Sequence, residues 1–437
     1  MNSSDILIIG AGPGGYETAA RAASMGMSVT LIERDKLGGT CLNRGCIPTK
    51  ALCRVAEIAD DIASASQFGI SAEKATLDYE AVVKRKDAVV DSLREGVAQL
   101  LGNVNVVFGE AAFESNDNVR VGDEIYTAPK IVIATGSTPA RPHIPGIENA
   151  LTSDDFLNLT TLPASITIIG GGVIGLEFAS ILRSFSVAVT VIEGMKEILP
   201  NFDTEIAKRL RMSLKRRGIT VVTDAMVTEI LPGGGVKYTV KGKEKVSESE
   251  MVLVAVGRRP SLPAGLSEAG VKLTPRRFIE VDSAMQTSAP GVYAIGDVNG
   301  LSMLAHAATA QGEIVLGVRK DFNPVPGAVF TRPECSMVGL TEQECMERQI
   351  NYLTGKSTFQ ANGKARAMGE PEGMVKILIS KDSNKILGAH IMGTHASDLI
   401  AEVVLAMTAE LTAQALKESV HTHPTLSEAV SAAVGCY

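Results

Sequence analysis

The chain has 437 residues, of which 45% are hydrophobic and 21% charged, and its formal net charge at pH 7 is -7. This length predicts about three domains. The acidic balance, without a basic block, argues against nucleic acid or an anionic membrane surface as a partner. No apolar run is long enough to cross a bilayer, the N-terminus has no recognisable leader, and six cysteines are too few for a disulfide scaffold. We therefore expect a cytoplasmic globular protein without a membrane span.

The first informative segment is the apolar run from Ile6 to Ile9, which is followed at once by a glycine-rich turn and an Ala-rich helix from Tyr16 to Met25. A strand, a G-x-G-x-x-G turn and a helix in this order are typical of a dinucleotide-binding fold. The next predicted strand starts at Val29 and ends at Glu33, where a carboxylate can accept a hydrogen bond from a ribose hydroxyl. The alternative is a glycine-rich turn with an acidic residue that only ends a strand. We favour a dinucleotide site, whose glycines are Gly10, Gly12 and Gly15.

Two cysteines, Cys41 and Cys46, follow in a glycine-rich stretch, with four residues between them. The closed loop that they would form is small, which suits a disulfide that opens and re-forms during turnover. A helix is predicted from Ala51 to Ala63, and a place near its N-terminus would favour a thiolate at Cys46. The alternative is a pair of ordinary buried cysteines.

The region between the cysteines and the middle of the chain mixes helix and strand patterns. Apolar residues at helical spacing predict a long helix from Leu77 to Leu101, and short strands are predicted between Val104 and Val121. A buried strand that starts at Ile131 ends in a tight turn at Thr135 and Gly136. The prolines that come next indicate a linker into another domain.

A second copy of the glycine-rich pattern follows this linker. Ile166 to Glu177 repeats Ile6 to Glu17, and every matched position is offset by 160 residues. A second acidic residue, Glu193, ends the next strand; its carboxylate would repel a 2′-phosphate, and no arginine follows at once, so we predict NAD rather than NADP. The alternative for Glu193 is a solvent-facing acid. Two dinucleotide folds imply two dinucleotides, and the second set of glycines is Gly170, Gly172 and Gly175.

The last third of the chain contains two further patterns. A strand that starts at Val292 ends in a Gly-Asp turn at Asp297, and a helix is predicted from about Met303. From Asn323 onward, alternating segments predict strands, and a long helix is predicted from Ala396 to Ala409. The chain then contains the string H-T-H-P-T-L-S-E, which on composition alone would be an ordinary surface or capping segment.

The stretch G-G-T-C-L-N-R-G-C-I-P-T-K and the string H-T-H-P-T-L-S-E closely resemble the signatures of the pyridine nucleotide–disulfide oxidoreductases. This resemblance implies an α/β fold with two Rossmann-like dinucleotide-binding domains, one for FAD and one for NAD, and a C-terminal α+β interface domain. It divides the chain into a first FAD part at 1–145, an NAD domain at 146–261, a second FAD part at 262–322 and the interface domain at 323–437. It also implies a homodimer with shared active sites.

The resemblance also assigns roles to individual residues. Cys46 would contact the flavin and Cys41 would exchange with the substrate. His423 would be the base, oriented by Glu428, and would serve the disulfide of the other subunit. The flavin would further be contacted by Thr135 and Gly136, by Asp297 at its ribityl chain, and by the pair of Lys50 with Glu177. No metal site is expected. We assign no catalytic role to His421, for which a surface or packing position is expected, or to the other cysteines, Cys53, Cys335, Cys345 and Cys436.

Within the family, the cysteine stretch most resembles that of the dihydrolipoamide dehydrogenases. This branch implies electron flow from dihydrolipoamide through the Cys41–Cys46 disulfide and FAD to NAD, with the lipoyl groups of a 2-oxoacid dehydrogenase or glycine cleavage complex as partners. A glutathione-type reductase is the first alternative, and Glu193 argues against it. A mercuric reductase is the second, and the chain lacks a C-terminal cysteine pair. A non-catalytic flavoprotein scaffold is the least favoured reading.

Overall fold

A computed structural model describes residues 2–73 and 75–435 of the chain, so that Cys436 lies outside the described residues. The helices, in chain order, are α1 Pro13–Ser24, α2 Gly39–Arg44, α3 Cys46–Ser64, α4 Tyr79–Leu100, α5 Ser153–Phe156, α6 Val173–Ser184, α7 Thr204–Arg216, α8 Ala305–Val315, α9 Glu342–Glu347, α10 Gly363–Ala367, α11 Ala396–Thr408, α12 Ala413–Glu418 and α13 Glu428–Gly435. The strands are β1 Asn2–Ser3, β2 Ile6–Ile9, β3 Val29–Glu33, β4 Asn105–Phe108, β5 Ala111–Phe113, β6 Asn118–Val121, β7 Glu124–Thr127, β8 Lys130–Ile133, β9 Ser137–Pro139, β10 Ser165–Ile169, β11 Ala188–Ile192, β12 Thr220–Val222, β13 Ala225–Ile230, β14 Val236–Val240, β15 Lys243–Ser247, β16 Met251–Val254, β17 Arg258–Pro260, β18 Val292–Ala294, β19 Gly327–Val329, β20 Cys335–Gly339, β21 Tyr352–Thr358, β22 Met374–Ser380 and β23 Ile386–Met392.

The first dinucleotide fold is a parallel five-stranded sheet in the order β18-β8-β2-β3-β4. Strand β2 lies at its centre and all four of its residues are buried, as expected for a run of Ile and Leu between helices. Helix α1 begins at Pro13, earlier than the predicted Tyr16, because proline is well suited to the first position of a helix. Strand β18 comes from residues 292–294, so the chain returns to this sheet after completing the second fold.

The second dinucleotide fold is a parallel sheet in the order β12-β11-β10-β16. Helix α6 packs on β10 and β11, and eight consecutive residues of this helix, Gly175 to Leu182, are buried. A separate antiparallel sheet, β13-β14-β15, accompanies this fold. The boundaries that we predict between the domains stay predictions.

The C-terminal part is built on an antiparallel five-stranded sheet in the order β19-β20-β23-β22-β21. All seven residues of β22, an interior strand of this sheet, are buried, among them the charged Lys376. The ammonium group of Lys376 lies 2.9 Å from the carboxylate of Asp203, which is also fully buried at the start of α7, and 2.7 Å from that of Glu342. Buried charges require such pairing, so this cluster joins the C-terminal sheet to the second dinucleotide fold. Among the helices that the structure describes, none is long and apolar enough to cross a membrane.

Candidate active site

The two cysteines lie on two consecutive helices that a single glycine separates. Cys41 is in the short helix α2, and Cys46 is the first residue of α3, so this helix begins five residues earlier than the predicted Ala51. Gly45 lies between the helices, and a Cβ atom there would be 3.0 Å from the carbonyl oxygen of Thr40. Both cysteines are free thiols in this structure. The helix N-terminus at Cys46 is where a thiolate is best stabilised.

The environments of the two thiols differ in a way that separates their chemistry. A hydrogen bond from Cys41 lowers the pKa of Cys46 to about 7; burial opposes this effect, and the nearby ammonium group of Lys50 adds to it. The same hydrogen bond, followed by burial, raises the pKa of Cys41 above its usual range. Cys46 is therefore the sulfur of the reduced pair that ionises first, near neutral pH, while Cys41 keeps its proton.

Lys50 and Glu177 form the ion pair that the family resemblance implied, although they come from different dinucleotide folds, and the pair lies near Cys46. The ammonium group of Lys50 lies 2.9 Å from both carboxylate oxygens of Glu177. Phe330, which the sequence analysis missed, completes the pair: its N–H donates to Glu177 at 3.0 Å and its ring centroid lies 4.1 Å from the Lys50 nitrogen. The side chain of Glu177 is 6% exposed, so this ion pair is shielded on its acidic side. No local pattern around Phe330 could have indicated this contact. Whether the pair lies beside a flavin stays a prediction.

The first glycine turn has the geometry of a dinucleotide cradle. Gly10 has a φ of 102°, which disfavours any side chain, and a Cβ at Gly15 would lie 1.8 Å from the Gly10 carbonyl oxygen. A Cβ at Gly12 would meet nothing within 4 Å, so open space remains beside the backbone where a pyrophosphate would approach. Glu33 is buried, and its carboxylate accepts from the N–H groups of Ala11 at 2.7 Å and of Asp35 at 2.8 Å.

The second turn repeats this geometry. Gly170 has a φ of 113°, a Cβ at Gly175 would lie 2.1 Å from the Gly170 carbonyl oxygen, and a Cβ at Gly172 would meet nothing within 4 Å. Glu193 is buried, and its carboxylate accepts from the N–H of Gly171 at 2.5 Å and of Met195 at 2.7 Å. Each carboxylate oxygen retains a further lone pair for a ribose hydroxyl. The alternative of a solvent-facing acid is therefore wrong for Glu193.

A group of polar residues beside the first turn fits an additional ligand. Thr135 has a buried hydroxyl oxygen that has no hydrogen-bond partner among residues 2–73 and 75–435, and a Cβ at the neighbouring Gly136 would meet none of their atoms within 4 Å. Asp297 accepts from the hydroxyl group of Ser137, and the guanidinium group of Arg258 lies 3.8 Å from the same carboxylate. Neither Ser137 nor Arg258 was expected at this site from the sequence, although Ser137 directly follows the predicted turn. An unsatisfied buried hydroxyl is unusual and fits a ligand that supplies its partner.

The predicted base is present with its orienting carboxylate. His423 Nδ1 lies 2.9 Å from Glu428, whose second oxygen accepts from the N–H of Thr425 at 2.9 Å. The hydrogen bond from the Thr425 N–H and, to a smaller extent, that from His423 lower the pKa of Glu428, which is therefore ionised at neutral pH. The His423 side chain is 79% exposed, and in the described part of the chain no hydrogen bond joins it to Cys41 or Cys46. One chain by itself therefore does not bring the base to the thiols.

The neighbouring His421 is packed rather than exposed. Its side chain is 11% exposed, its Nδ1 donates to the carbonyl of Ser419 at 2.9 Å, and its Nε2 lies 2.5 Å from the carboxylate of Glu402. The sequence predicted either a surface or a packing position for His421, and the structure shows the packing position. Its contact with Glu402 on α11 anchors the segment that carries His423. Across residues 2–73 and 75–435, no group of three or more His, Cys, Asp or Glu side chains is arranged to hold a metal ion.

Comparison with known proteins agrees with this geometry. The family model described as "Pyridine nucleotide-disulphide oxidoreductase" matches residues 4–312, and that of its dimerisation domain matches residues 325–434. The chain is 40% identical to "Dihydrolipoyl dehydrogenase" of Geobacillus stearothermophilus, over 97% of this chain and 94% of that protein. It is 41% identical to the protein of the same name from Chlamydia trachomatis, with the same coverage.

Among solved structures, the chain resembles the "Cu(II) complex of HOCl-induced flavoprotein disulfide reductase RclA from Escherichia coli". The TM-score is 0.88 at 29% sequence identity, over 100% of this chain and 99% of that one. The two parallel sheets and the antiparallel dimerisation domain thus match a flavoprotein disulfide reductase, and the dimerisation domain implies a homodimer. The chain belongs to the pyridine nucleotide–disulphide oxidoreductase family.

Proposed function

We propose that the protein is a dihydrolipoamide dehydrogenase, which passes electrons from dihydrolipoamide through the Cys41–Cys46 disulfide and FAD to NAD. The observation that carries this proposal is the thiol pair at the start of α3, in which Cys46 has a pKa of about 7 beside Lys50. Relatives that share about two residues in five with this chain over nearly its full length are named dihydrolipoyl dehydrogenases.

FAD fits the first dinucleotide fold. Gly12 leaves room for the pyrophosphate, Glu33 has lone pairs for the ribose, and the free hydroxyl of Thr135 and the carboxylate of Asp297 lie at the end of the same sheet. When bound, the flavin would relay two electrons between the protein disulfide and the nicotinamide. Lys50 would place a cation beside it, where negative charge accumulates on reduction.

The chain's own residues would handle sulfur and protons. Dihydrolipoamide loses two electrons and two protons when its two thiols form the cyclic disulfide, and the Cys41–Cys46 disulfide takes up the two electrons as it opens. Cys41 would form the mixed disulfide with the substrate sulfur, and Cys46 would leave as the thiolate. His423 would accept a substrate proton at Nε2, because its Nδ1 faces Glu428.

NAD fits the second fold for a reason of charge. The buried Glu193 carboxylate, directly after β11, would accept from the ribose hydroxyls and repel a 2′-phosphate. Since His423 is exposed and away from the thiols of its own chain, we propose that it serves the disulfide of the second copy in a homodimer. The proposed partners are the lipoyl groups of a 2-oxoacid dehydrogenase or glycine cleavage complex, and the cytoplasm is the proposed location.

A steady-state assay tests the proposal directly. The purified flavoprotein is assayed with dihydrolipoamide and NAD, with NADPH and glutathione disulfide, and with NADH and Hg(II) or Cu(II). We expect the first pair to give the highest kcat/KM, and Cys41→Ser to abolish that reaction. If glutathione disulfide with NADPH gave the fastest reaction, both dihydrolipoamide as the substrate and the NAD preference that we attribute to Glu193 would be contradicted.

Metal-ion reduction is the second candidate, because a similar solved structure is a Cu(II) complex of a disulfide reductase. It would be preferred if Cu(II) or Hg(II) were reduced faster than lipoamide, in a reaction that required both cysteines.

The roles of the two sulfurs can be tested by spectroscopy. A thiolate held against an oxidised flavin gives a long-wavelength absorption band, which we expect after two-electron reduction. In Cys41→Ser, which has no disulfide to reduce, the band should be present without added reductant, and in Cys46→Ser it should be absent. The opposite pattern would reverse the assignment.

Mixing two inactive variants tests the shared site. Cys41→Ser and His423→Gln subunits are allowed to exchange, and exchange is followed by mass spectrometry. If the site is shared, a mixed dimer has one intact site, and random exchange should restore about a quarter of wild-type activity. If both groups came from one chain, activity would stay at background.

A further inference from the structure

A cleft of about 430 Å³ opens beside Cys41, on the side formed by helices α1 and α8. Its wall includes Tyr16 and Glu17 from the first turns of α1, His306 and Glu313 from α8, and Arg319 just beyond α8. Cys41 is the sulfur that we assign to substrate exchange, and it lines this cleft, so a disulfide can reach it from here. The charges on its wall therefore act on the substrate.

The cleft carries a negative charge that nothing in the described structure neutralises. Arg319 donates to the carboxylate of Glu313 at 2.7 Å, and these two charges offset each other. His306 Nε2 donates to the carbonyl of Pro326 at 2.8 Å. Glu17 is exposed, and its carboxylate interacts with the hydroxyl group of Tyr16, but among the described residues no Lys, Arg or His forms an ion pair with it.

Glu17, Tyr16 and Cys41 line the same cleft. Burial raises the pKa of Tyr16 to about 12, and the negative charges of Glu17 and then Cys41 contribute to this increase, so the Tyr16 hydroxyl is near both groups. A disulfide that reaches Cys41 therefore passes one unpaired carboxylate and one neutralised ion pair.

We propose that Glu17 is a specificity-determining residue, which makes the cleft at Cys41 discriminate against anionic disulfides in favour of neutral or cationic ones. This role of Glu17 extends the proposed function, and it rests on one part of that function, the exchange of Cys41 with the substrate disulfide. An amide-linked lipoyl group is neutral and is accepted. Free lipoate carries one carboxylate, and glutathione disulfide has a net charge of about two negative units, so both are disfavoured.

The first test measures how the electrostatic potential at the Cys41 sulfur affects its reaction with charged reagents, and it requires neither turnover nor flavin chemistry. In a Cys46→Ser background, Cys41 is alkylated with neutral iodoacetamide and with anionic iodoacetate, and modification of Cys41 is followed by peptide mass spectrometry. The ratio of the two rates cancels any change in the fraction of Cys41 thiolate. Glu17→Gln should raise the iodoacetate-to-iodoacetamide ratio about threefold, and Glu17→Lys should raise it further.

The matched control is Glu244→Gln, which makes the same change in net charge on the exposed strand β15, outside the cleft. It should leave the ratio unchanged. High salt should remove the difference between wild type and Glu17→Gln, because screening shortens the reach of exposed charges. A ratio that is equal in wild type and Glu17→Gln, or that changes equally in Glu244→Gln, overturns the proposal.

The second test uses disulfide reduction by the holoenzyme with NADH. For wild type, kcat/KM for lipoamide should exceed that for lipoate. In Glu17→Gln the ratio of these two kcat/KM values should fall about threefold, mainly because KM for lipoate decreases. If lipoamide were not a substrate, the proposed function would fail. The effect of charge would then be measured by comparing the reduction rates of neutral dithiodipyridine and dianionic dithiobis-nitrobenzoate. An unchanged preference with either pair of substrates contradicts the role of Glu17.

Discussion

The two dinucleotide folds of this chain have nearly identical cradles and different surroundings. Glycines at matched positions have φ values of 102° and 113°, and the two buried glutamates, Glu33 and Glu193, accept from the backbone at matched positions. The difference begins beside the first glycine. Gly10 packs on Ala134 and Thr135, and the buried hydroxyl of Thr135 lacks a hydrogen-bond partner among the described residues. At the matched place in the second fold, Gly170 packs on Ala255 and the apolar Val256.

The segments that come after the two acidic residues also differ. After Glu33 the chain forms the two cysteine helices, whereas after Glu193 it forms a short turn and α7. The cradle is thus a general device for a pyrophosphate and a ribose, and the chemistry is decided by the groups that the neighbouring segments place at its edge. Substitutions at matched positions of the two folds can separate the two contributions.

The largest effect is expected where a new Cβ meets the backbone. In Gly15→Ala the Cβ would lie 1.8 Å from the Gly10 carbonyl oxygen, and in Gly175→Ala it would lie 2.1 Å from that of Gly170. Helix and strand must move apart, at a cost of about 3 kcal/mol in each case. We expect Gly15→Ala to lose bound flavin and Gly175→Ala to keep it but lose turnover with NADH. Flavin absorbance per chain and chemical denaturation measure this, and equal flavin loss in both variants would contradict independent folds.

A smaller and more selective effect is expected at the central glycines, where open space adjoins the backbone. Gly12→Ala and Gly172→Ala create no clash within the protein, so the stability of the ligand-free protein should change little. The methyl group would instead obstruct the pyrophosphate, and we expect affinity to fall about tenfold, for FAD in the first variant and for NADH in the second. The measurements are flavin titration and KM for NADH. A loss of FAD affinity in Gly172→Ala would show that the ligands are assigned to the wrong folds.

The acidic residue of the second fold is expected to control the choice of nicotinamide. Wild type should prefer NADH to NADPH, and Glu193→Gln should reduce this preference about tenfold by removing the repelling charge. Glu33→Gln in the first fold is the matched control and should leave the NADH-to-NADPH ratio of kcat/KM unchanged. An intrinsic preference for NADPH in wild type would refute the role of Glu193.

The smallest effect concerns the hydroxyl that distinguishes the first fold. Thr135→Val removes a buried, unpartnered oxygen, so the ligand-free protein should become more stable by about 1 kcal/mol. If the flavin is its partner, the same change should weaken FAD binding about fivefold. The reciprocal Val256→Thr should leave FAD binding unchanged. Thr135→Val without any change in FAD affinity would exclude a flavin contact at this hydroxyl.

The sequence by itself determined the parts of this protein that depend on local chemistry. The strand–turn–helix units with Gly10 and Gly170, the acids that follow them, and the spacing of Cys41 and Cys46 could all be read from the chain, because turns and strand patterns are set by neighbouring residues. His423 and Glu428 are also close in the chain, five positions apart, but their pairing was predicted only by the resemblance to known proteins.

Only the tertiary structure decided which distant groups meet. The contact of Lys50 with Glu177 spans 127 residues, and a resemblance to known proteins, not any local pattern, predicted it. The contributions of Phe330 and Arg258, and the anchoring of His421 by Glu402, were not foreseen at all. The charge of the cleft at Cys41 belongs here too, because Glu313 is neutralised by Arg319 and Glu17 is not. Hydrogen bonds and ion pairs of this kind depend on distances and angles between packed elements, which sequence periodicity does not specify.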